Sequence, residues 1–250
     1  MLQFIGIIPA RYASIRFPGK PLAMIHGKTM IQRVYEQALK VLTHVYVATD
    51  DSRIENEVKK FNGKVIMTSS SHQSGTDRCA EALSIFNSTN SEKIDVVINI
   101  QGDEPFIQPS QIKKIMSCFD KPDTQIATLV KHLNGPEIFN PNHVKVVINK
   151  NKNALFFSRS PIPYLRGKDT TLWPSSHKYL KHIGIYAYRA DILKLLTNLE
   201  QTPLEIAESL EQLRWLENGY TITVEQTEFE SLSVDTPEDL QKLEGMTFSD

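Results

Sequence analysis

The stretch FIGIIPARYASIRFPGK, residues 4–20, decides the fold. Phe4 to Ile8 is a short, continuous apolar run stopped by Pro9, the pattern of a strand buried on both faces. From Pro9 to about Gly27 the chain is rich in Gly, Pro and cations and reads as a loop. Met30, Ile31, Val34, Ala38, Val41 and Leu42 then recur at helical spacing, behind a capping box of Thr29 and Gln32. Strand, loop and helix therefore follow one another within forty residues or so, and the same alternation continues downstream.

Val45 to Ala48 is a second strand, and Ser52 with Glu55 forms a capping box ahead of a helix with Ile54, Val58 and Phe61 on one face. Val65 to Met67 and Ile94 to Ile100 are two further strands, separated by a helix carrying Cys79, Leu83 and Phe86. Pro109 opens another helix. Strands alternating with helices predict a mostly parallel central sheet with helices on both faces. The second half is less regular. Ile126 to Val130, Val144 to Ile148, Ala154 to Phe157 and Ile183 to Tyr188 read as strands with short connections. Asp191 to Leu199 and Leu204 to Leu216 read as helices, Thr221 to Val224 as a strand and Pro237 to Leu243 as a final helix. The fold class is α/β, with one domain over 1–250 and a small antiparallel extension over about 126–190.

Composition excludes several classes. The chain has 250 residues, with 28 Lys+Arg against 29 Asp+Glu, which argues against a basic nucleic-acid coat protein. Two cysteines are too few for a disulfide scaffold and fit a reducing cytoplasm. No apolar run approaches the roughly 20 residues of a membrane helix, and the first residues read as no secretion leader. A soluble, cytoplasmic protein with no membrane insertion is expected. The charge is uneven, however: residues 1–35 hold Arg11, Arg16, Lys20, Lys28 and Arg33 and no acid. Their only aromatic neighbours are scattered, so a nucleic-acid platform is not expected.

Familiar phosphate motifs are missing. No glycines show GxGxxG spacing, and the P-loop reading of Gly27-Lys28-Thr29 would place its first glycine at Leu22. Four other constellations remain. Arg11 to Lys20 lies after the first strand, where open α/β sheets hold ligands, and its cations suit a polyphosphate. Gln101-Gly102-Asp103-Glu104-Pro105 follows another strand and reads either as a turn or as a carboxylate site for a hard cation. In Ser233 to Asp239, Thr236 and Pro237 explain themselves as a helix start, which leaves Asp235 unaccounted for. His72 to Arg78 precedes a helix and reads as a cap unless its polar groups meet a ligand.

The series IIPARYASIRFPGKPL, HQSGTDR, QGDEP, FNPNHVKVV, SRSPIPY, KHIGIYAYR, PLEIAESLEQLR and VDTPEDL runs in order from residue 7 to residue 240. It resembles the 3-deoxy-manno-octulosonate (Kdo) cytidylyltransferases. The resemblance implies a nucleotidyltransferase-like fold, a homodimer, and transfer of CMP from CTP to Kdo with Mg2+, serving lipopolysaccharide biosynthesis. Arg11, Ser14, Arg16 and Lys20 match its triphosphate loop. Ser74, Gly75 and Arg78 match its cytidine segment, where Asp77 replaces the more usual Glu. Asp103 and Asp235 match its metal-binding carboxylates and, with Lys20, its catalytic set. Gln101, Arg159, His182, Tyr186, Glu211 and Gln212 match residues lining its acid-sugar pocket.

Chemistry supports these roles unequally. A guanidinium such as Arg159 binds a carboxylate bidentately. His182 and Tyr186 are four residues apart on a strand and share a face. Glu211 and Gln212 fall outside the stripe Leu210, Leu213 and Leu216, so spacing alone leaves them in solvent. Two other readings stay open: a cytidylyltransferase for an acylneuraminate or an 8-amino Kdo analogue, and a nucleotide-binding regulator without turnover.

Overall fold

The computed structural model describes residues 2–13, 16–230 and 232–244. The chain forms two compact units, residues 1–113 with 231–250 and residues 114–230.

In the first unit β1 (Phe4–Ala10) is followed by a short hairpin, β2 (Met24–Ile25) and β3 (Lys28–Thr29), and then by α1 (Met30–Leu39). Next come β4 (His44–Thr49), α2 (Ser52–Lys60), β5 (Val65–Met67), α3 (Gly75–Thr89) and β6 (Val96–Asn99), and the chain leaves the unit within α4 (Pro109–Ser117). The sheet order is β6-β1-β4-β5 and every pair is parallel, with Ile5 opposite His44, Phe4 opposite Val96 and Val47 opposite Val65. Ile5, Ile7, Ile8, Val45, Val47, Val96, Val97 and Ile98 are fully buried, as their unbroken apolar runs predict. The connections through α1 and α2 step one way across the sheet, and the connection through α3 steps back past β1 and β4. Right-handed crossovers then put α3 on the opposite face from α1 and α2. The chain's direction switches beside β1, so the loops after β1 and β6 face one another at the carboxyl ends of their strands.

Local details differ from the sequence reading. β1 runs through Pro9 to Ala10, because β6 pairs only as far as Ile7 and leaves that side of Pro9 without a ladder partner. Thr29 precedes α1 without a side-chain cap, and the Gln32 amide instead donates to Glu36 Oε1 at 2.9 Å. α2 is capped by Asp51, whose carboxylate accepts from Arg53 N at 2.9 Å, and not by Ser52. α3 carries a complete capping box between Ser74 and Asp77.

The second unit contains β7 (Ile126–Leu133), β8 (Lys145–Ile148), β9 (Ala154–Ser158), a one-turn helix α5 (Trp173–Ser176), β10 (Tyr179–Arg189), α6 (Ala190–Leu196), α7 (Pro203–Glu208), α8 (Gln212–Glu217) and β11 (Ile222–Gln226). β7 pairs antiparallel with β10 and parallel with β11, while β8 pairs antiparallel with both β9 and β10. The antiparallel strands expected over about 126–190 are therefore present. The helix expected over Leu204 to Leu216 is two helices, broken at Ser209, whose φ is 51°. Glu205 on α7 is buried and takes a two-pronged ion pair from Arg214 on α8, at 2.7 and 2.6 Å, which fixes the angle of the break. The break re-phases the second half of the segment, so Gln212, Leu213 and Trp215 become the buried face. Gln212 is thus an interior residue, contrary to the uninterrupted helical stripe.

Helix Pro237–Glu244 returns the chain to the first unit, with Thr236 and Asp239 bonding one another's backbone N–H groups at its start.

Candidate active site

The loops after β1, β5 and β6 and the segment before the final helix enclose a cavity of about 270 Å³ in the first unit. Arg11, Arg16, Lys20, Ser74, Gly75, Arg78, Gln101, Asp103 and Asp235 all line it. Four stretches far apart in sequence therefore meet where the strand order places a ligand. Ser14 lies outside the described residues.

Lys20 is at the centre. Its Nζ donates to Asp103 Oδ2 at 2.7 Å and to Asp235 Oδ1 at 3.3 Å, and Arg16 reaches the same Asp235 oxygen at 3.0 Å. The loop that delivers Lys20 is closed by Gly19, whose N–H donates to Tyr12 O at 2.9 Å with φ at 74°, a conformation that suits glycine. The backbone of Val234 donates to Asp103 O at 2.9 Å, which ties the Asp235 segment to the QGDEP loop.

Glycine also sets how closely the loops approach. A Cβ on Gly102 would lie 2.9 Å from Pro9 O, and one on Gly75 would lie 3.3 Å from Pro9 Cγ. Gly102 is thus needed for close packing as well as for its turn. Gly102→Ala must push β1 and the Asp103 loop apart, and the expected cost is about 1–3 kcal/mol of stability. A melting temperature equal to wild type would refute that packing role.

Arg78 is almost fully buried. It donates to Thr68 Oγ1 at 2.6 Å and pairs with Asp50 at 3.3 Å. These two partners escaped the sequence reading, although Asp50 sits just beyond a strand's carboxyl end, the same signal that singles out Asp103. Tyr12 was also missed: its ring carries the Arg53 guanidinium 3.2 Å from its centroid, and Arg53 in turn grips Asp51. His72 and Glu81 bond each other beside the cavity.

The two aspartates fit a divalent cation. Both reach a single ammonium, so they converge on one cation-sized space, and Mg2+ needs only one or two protein carboxylates when phosphates and water complete its shell. Among the described residues no cluster of three or more His, Cys, Asp or Glu forms a protein-only metal cage.

The second unit holds the remaining expected residues apart from Gln101. Arg159 is held by backbone carbonyls, with Nε on Glu208 O at 2.7 Å, Nη1 on Pro141 O at 3.1 Å and Nη2 on Ser209 O at 3.4 Å. Lys145, wholly buried and missed in sequence, donates to Asn140 O at 2.9 Å and to the carbonyl of Arg159 itself. Burial lowers the Lys145 pKa, and the nearby Arg159 charge adds to that, while Glu208 opposes it. His182 and Tyr186 do share a face, with ring centroids 5.2 Å apart. The strand irregularity between Ile183 and Tyr186 inserts two residues relative to β7, which preserves the alternation. Trp215 stands edge-on to Tyr186 at 5.1 Å, and Phe157 edge-on to His182 at 5.2 Å. Burial depresses the His182 pKa to about 3, assisted by the Lys181 charge. Burial also raises the Tyr186 phenol well above its ordinary range, assisted by Tyr188 and Glu211. Glu211 lies at the start of α8, next to the buried Gln212.

A family model described as cytidylyltransferase matches residues 5–226. The chain is 61% identical to the 3-deoxy-manno-octulosonate cytidylyltransferase of Parabacteroides distasonis and 59% identical to that of Bacteroides thetaiotaomicron, in each case over 97% of both chains. The chain belongs to the 3-deoxy-manno-octulosonate cytidylyltransferase family. A solved structure of CMP:2-keto-3-deoxy-manno-octonic acid synthetase complexed with CTP matches 97% of each chain, with 44% identity and a TM-score of 0.89. A cytidylyltransferase from Leptospira borgpetersenii, at 16% identity and a TM-score of 0.62, shares the fold. For a cytidylyltransferase of this family, a cavity rich in cations beside two carboxylates is the chemistry that a nucleoside triphosphate requires.

Proposed function

We propose that the chain transfers CMP from CTP to Kdo, giving CMP-Kdo and pyrophosphate for lipopolysaccharide biosynthesis. The observation that carries this reading is the single cavity in which Arg11, Arg16 and Lys20 meet Asp103, Asp235 and Arg78. We propose one nucleotidyltransferase domain in functional terms, with the 126–190 segment supplying acid-sugar contacts, working as a cytoplasmic homodimer. No helix among the described residues is long and apolar enough to cross a membrane.

The anomeric hydroxyl oxygen of Kdo forms a bond to the α-phosphorus of CTP. The bond from that phosphorus to the bridging oxygen breaks, and its electron pair leaves with pyrophosphate while the hydroxyl proton is released. Arg11, Arg16 and Lys20 bind the triphosphate and face the charge that develops on the leaving group. Ser74, Gly75 and Arg78 hold the cytidine, with Arg78 kept rigid by Asp50 and Thr68. Asp103 and Asp235 would hold Mg2+, which when bound polarises phosphate oxygens and lowers the hydroxyl's pKa. Arg159 takes the sugar carboxylate, and Gln101, His182, Tyr186, Glu211 and Gln212 orient its ring and hydroxyls, so positioning supplies much of the rate.

The test is pyrophosphate release from the full chain. Release is expected only when CTP, Kdo and Mg2+ are all present, and omission of Mg2+ should abolish it. No release with all three sinks the proposal, and faster release with an acylneuraminate or an 8-amino analogue reassigns the sugar.

A further inference from the structure

Thr128 on β7 is completely buried and faces Tyr186 across the ladder. Its Oγ1 lies 3.0 Å from His182 Nε2, 2.8 Å from the Ile185 carbonyl oxygen and 3.2 Å from the Ile183 carbonyl oxygen. The two carbonyls and the imidazole thus compete for a hydroxyl that owns one proton, while the neighbouring Tyr186 hydroxyl, which also interacts with Thr128, carries a proton of its own. Carbonyl oxygens only accept. If the proton were turned toward His182, both carbonyls would face the lone pairs of the hydroxyl at close range, in a buried site where such contacts are costly. The proton therefore goes to the carbonyl side, where Ile185 is nearest. That leaves only lone pairs for His182, and the imidazole must donate from Nε2–H. In a neutral imidazole the other nitrogen, Nδ1, is then a bare acceptor. Among the described residues Nδ1 has no hydrogen-bond partner.

We infer that Thr128 is a positioning residue that fixes His182 in its Nε2–H form, so that Nδ1 accepts a hydrogen bond from a hydroxyl of the acid sugar. The inference rests on the proposed place of His182 in the sugar pocket and deepens it. It divides the recognition chemically. A bare nitrogen lone pair attracts an O–H donor and repels a carboxylate oxygen, so His182 reads a hydroxyl while the sugar's carboxylate is left to the Arg159 guanidinium. Burial keeps the ring uncharged at neutral pH, so the polarity of this contact does not reverse.

The test uses the full chain labelled with 15N-histidine. Side-chain 15N–1H correlation spectra report which ring nitrogen carries the proton, and the His182 signals are identified by their loss in His182→Gln. The expected result is protonation at Nε2. Thr128→Val removes the hydroxyl at nearly constant size. It is expected to populate the second tautomer and to raise the KM for Kdo roughly tenfold with the KM for CTP unchanged, as loss of one oriented hydrogen bond implies. Thr128→Ser should restore both. A wild-type spectrum with the proton on Nδ1 overturns the inference, and so does a Thr128→Val enzyme with wild-type tautomer and KM. Should Thr128→Val not fold, the wild-type spectrum and the Thr128→Ser kinetics still decide. An enzyme inert toward Kdo would overturn the proposed function instead, because the spectrum is recorded without substrate.

Discussion

Asp103→Asn lowers kcat by roughly 10²-fold or more, the scale set by removing one preorganised group that stabilises transition-state charge. The substitution keeps the side chain's shape and hydrogen-bonding reach and deletes its charge. It leaves the loop intact, because that loop is held by Gly102 against Pro9 and by the Val234 bond to the Asp103 carbonyl. It also takes one negative charge from beside Lys20, whose ammonium keeps the Asp235 carboxylate at 3.3 Å. The effect should therefore appear in kcat at saturating CTP and Kdo, with the melting temperature near wild type. Near-normal turnover would remove Asp103 from the machinery.

The second large effect falls on the sugar. Arg159→Ala should raise the KM for Kdo by roughly tenfold to a hundredfold, the range for a lost hydrogen-bonded charge contact. The KM for CTP should stay close to wild type. Three of the five guanidinium N–H groups are spent on backbone carbonyls, which orient the fork without neutralising it. The Glu208 carboxylate is engaged by Ser158 Oγ and the Arg159 backbone N–H, not by the guanidinium. Among the described residues no carboxylate forms an ion pair with Arg159, so its charge and two N–H groups remain for a ligand. Arg159→Lys retains the charge and loses the fork, and should recover only part of the affinity. An unchanged dependence on Kdo concentration in the alanine variant refutes the assignment.

The first unit was legible because its strands are buried on both faces, which writes them into the sequence as unbroken apolar runs between polar helices. The cavity-lining residues were legible for a related reason: they lie in loops at a strand's carboxyl end or in and just ahead of the first turn of a helix, where topology collects ligands. Features that depend on tertiary geometry were not. Nothing in PLEIAESLEQLR marks Ser209 for a positive φ, yet that one residue divides the helix, buries Gln212 and offers the Glu208 and Ser209 carbonyls to Arg159. Capping boxes were read from spacing alone, and at Thr29 and Ser52 other hydrogen bonds won. Thr128 reads as an ordinary strand residue. Its contacts with His182, Ile183 and Ile185 depend on a local irregularity of β10 that no residue in KHIGIYAYR announces.

The neutral His182 ring also links folding to acidity. An unfolded chain's imidazole takes up a proton near pH 6.5, whereas the folded one refuses it until about pH 3. Between those values the unfolded state binds more protons, so this residue draws the equilibrium toward unfolding as pH falls through the window, and its penalty vanishes above it. A ring kept uncharged by burial thereby makes the same β-strand a proton-sensitive element of the protein's stability.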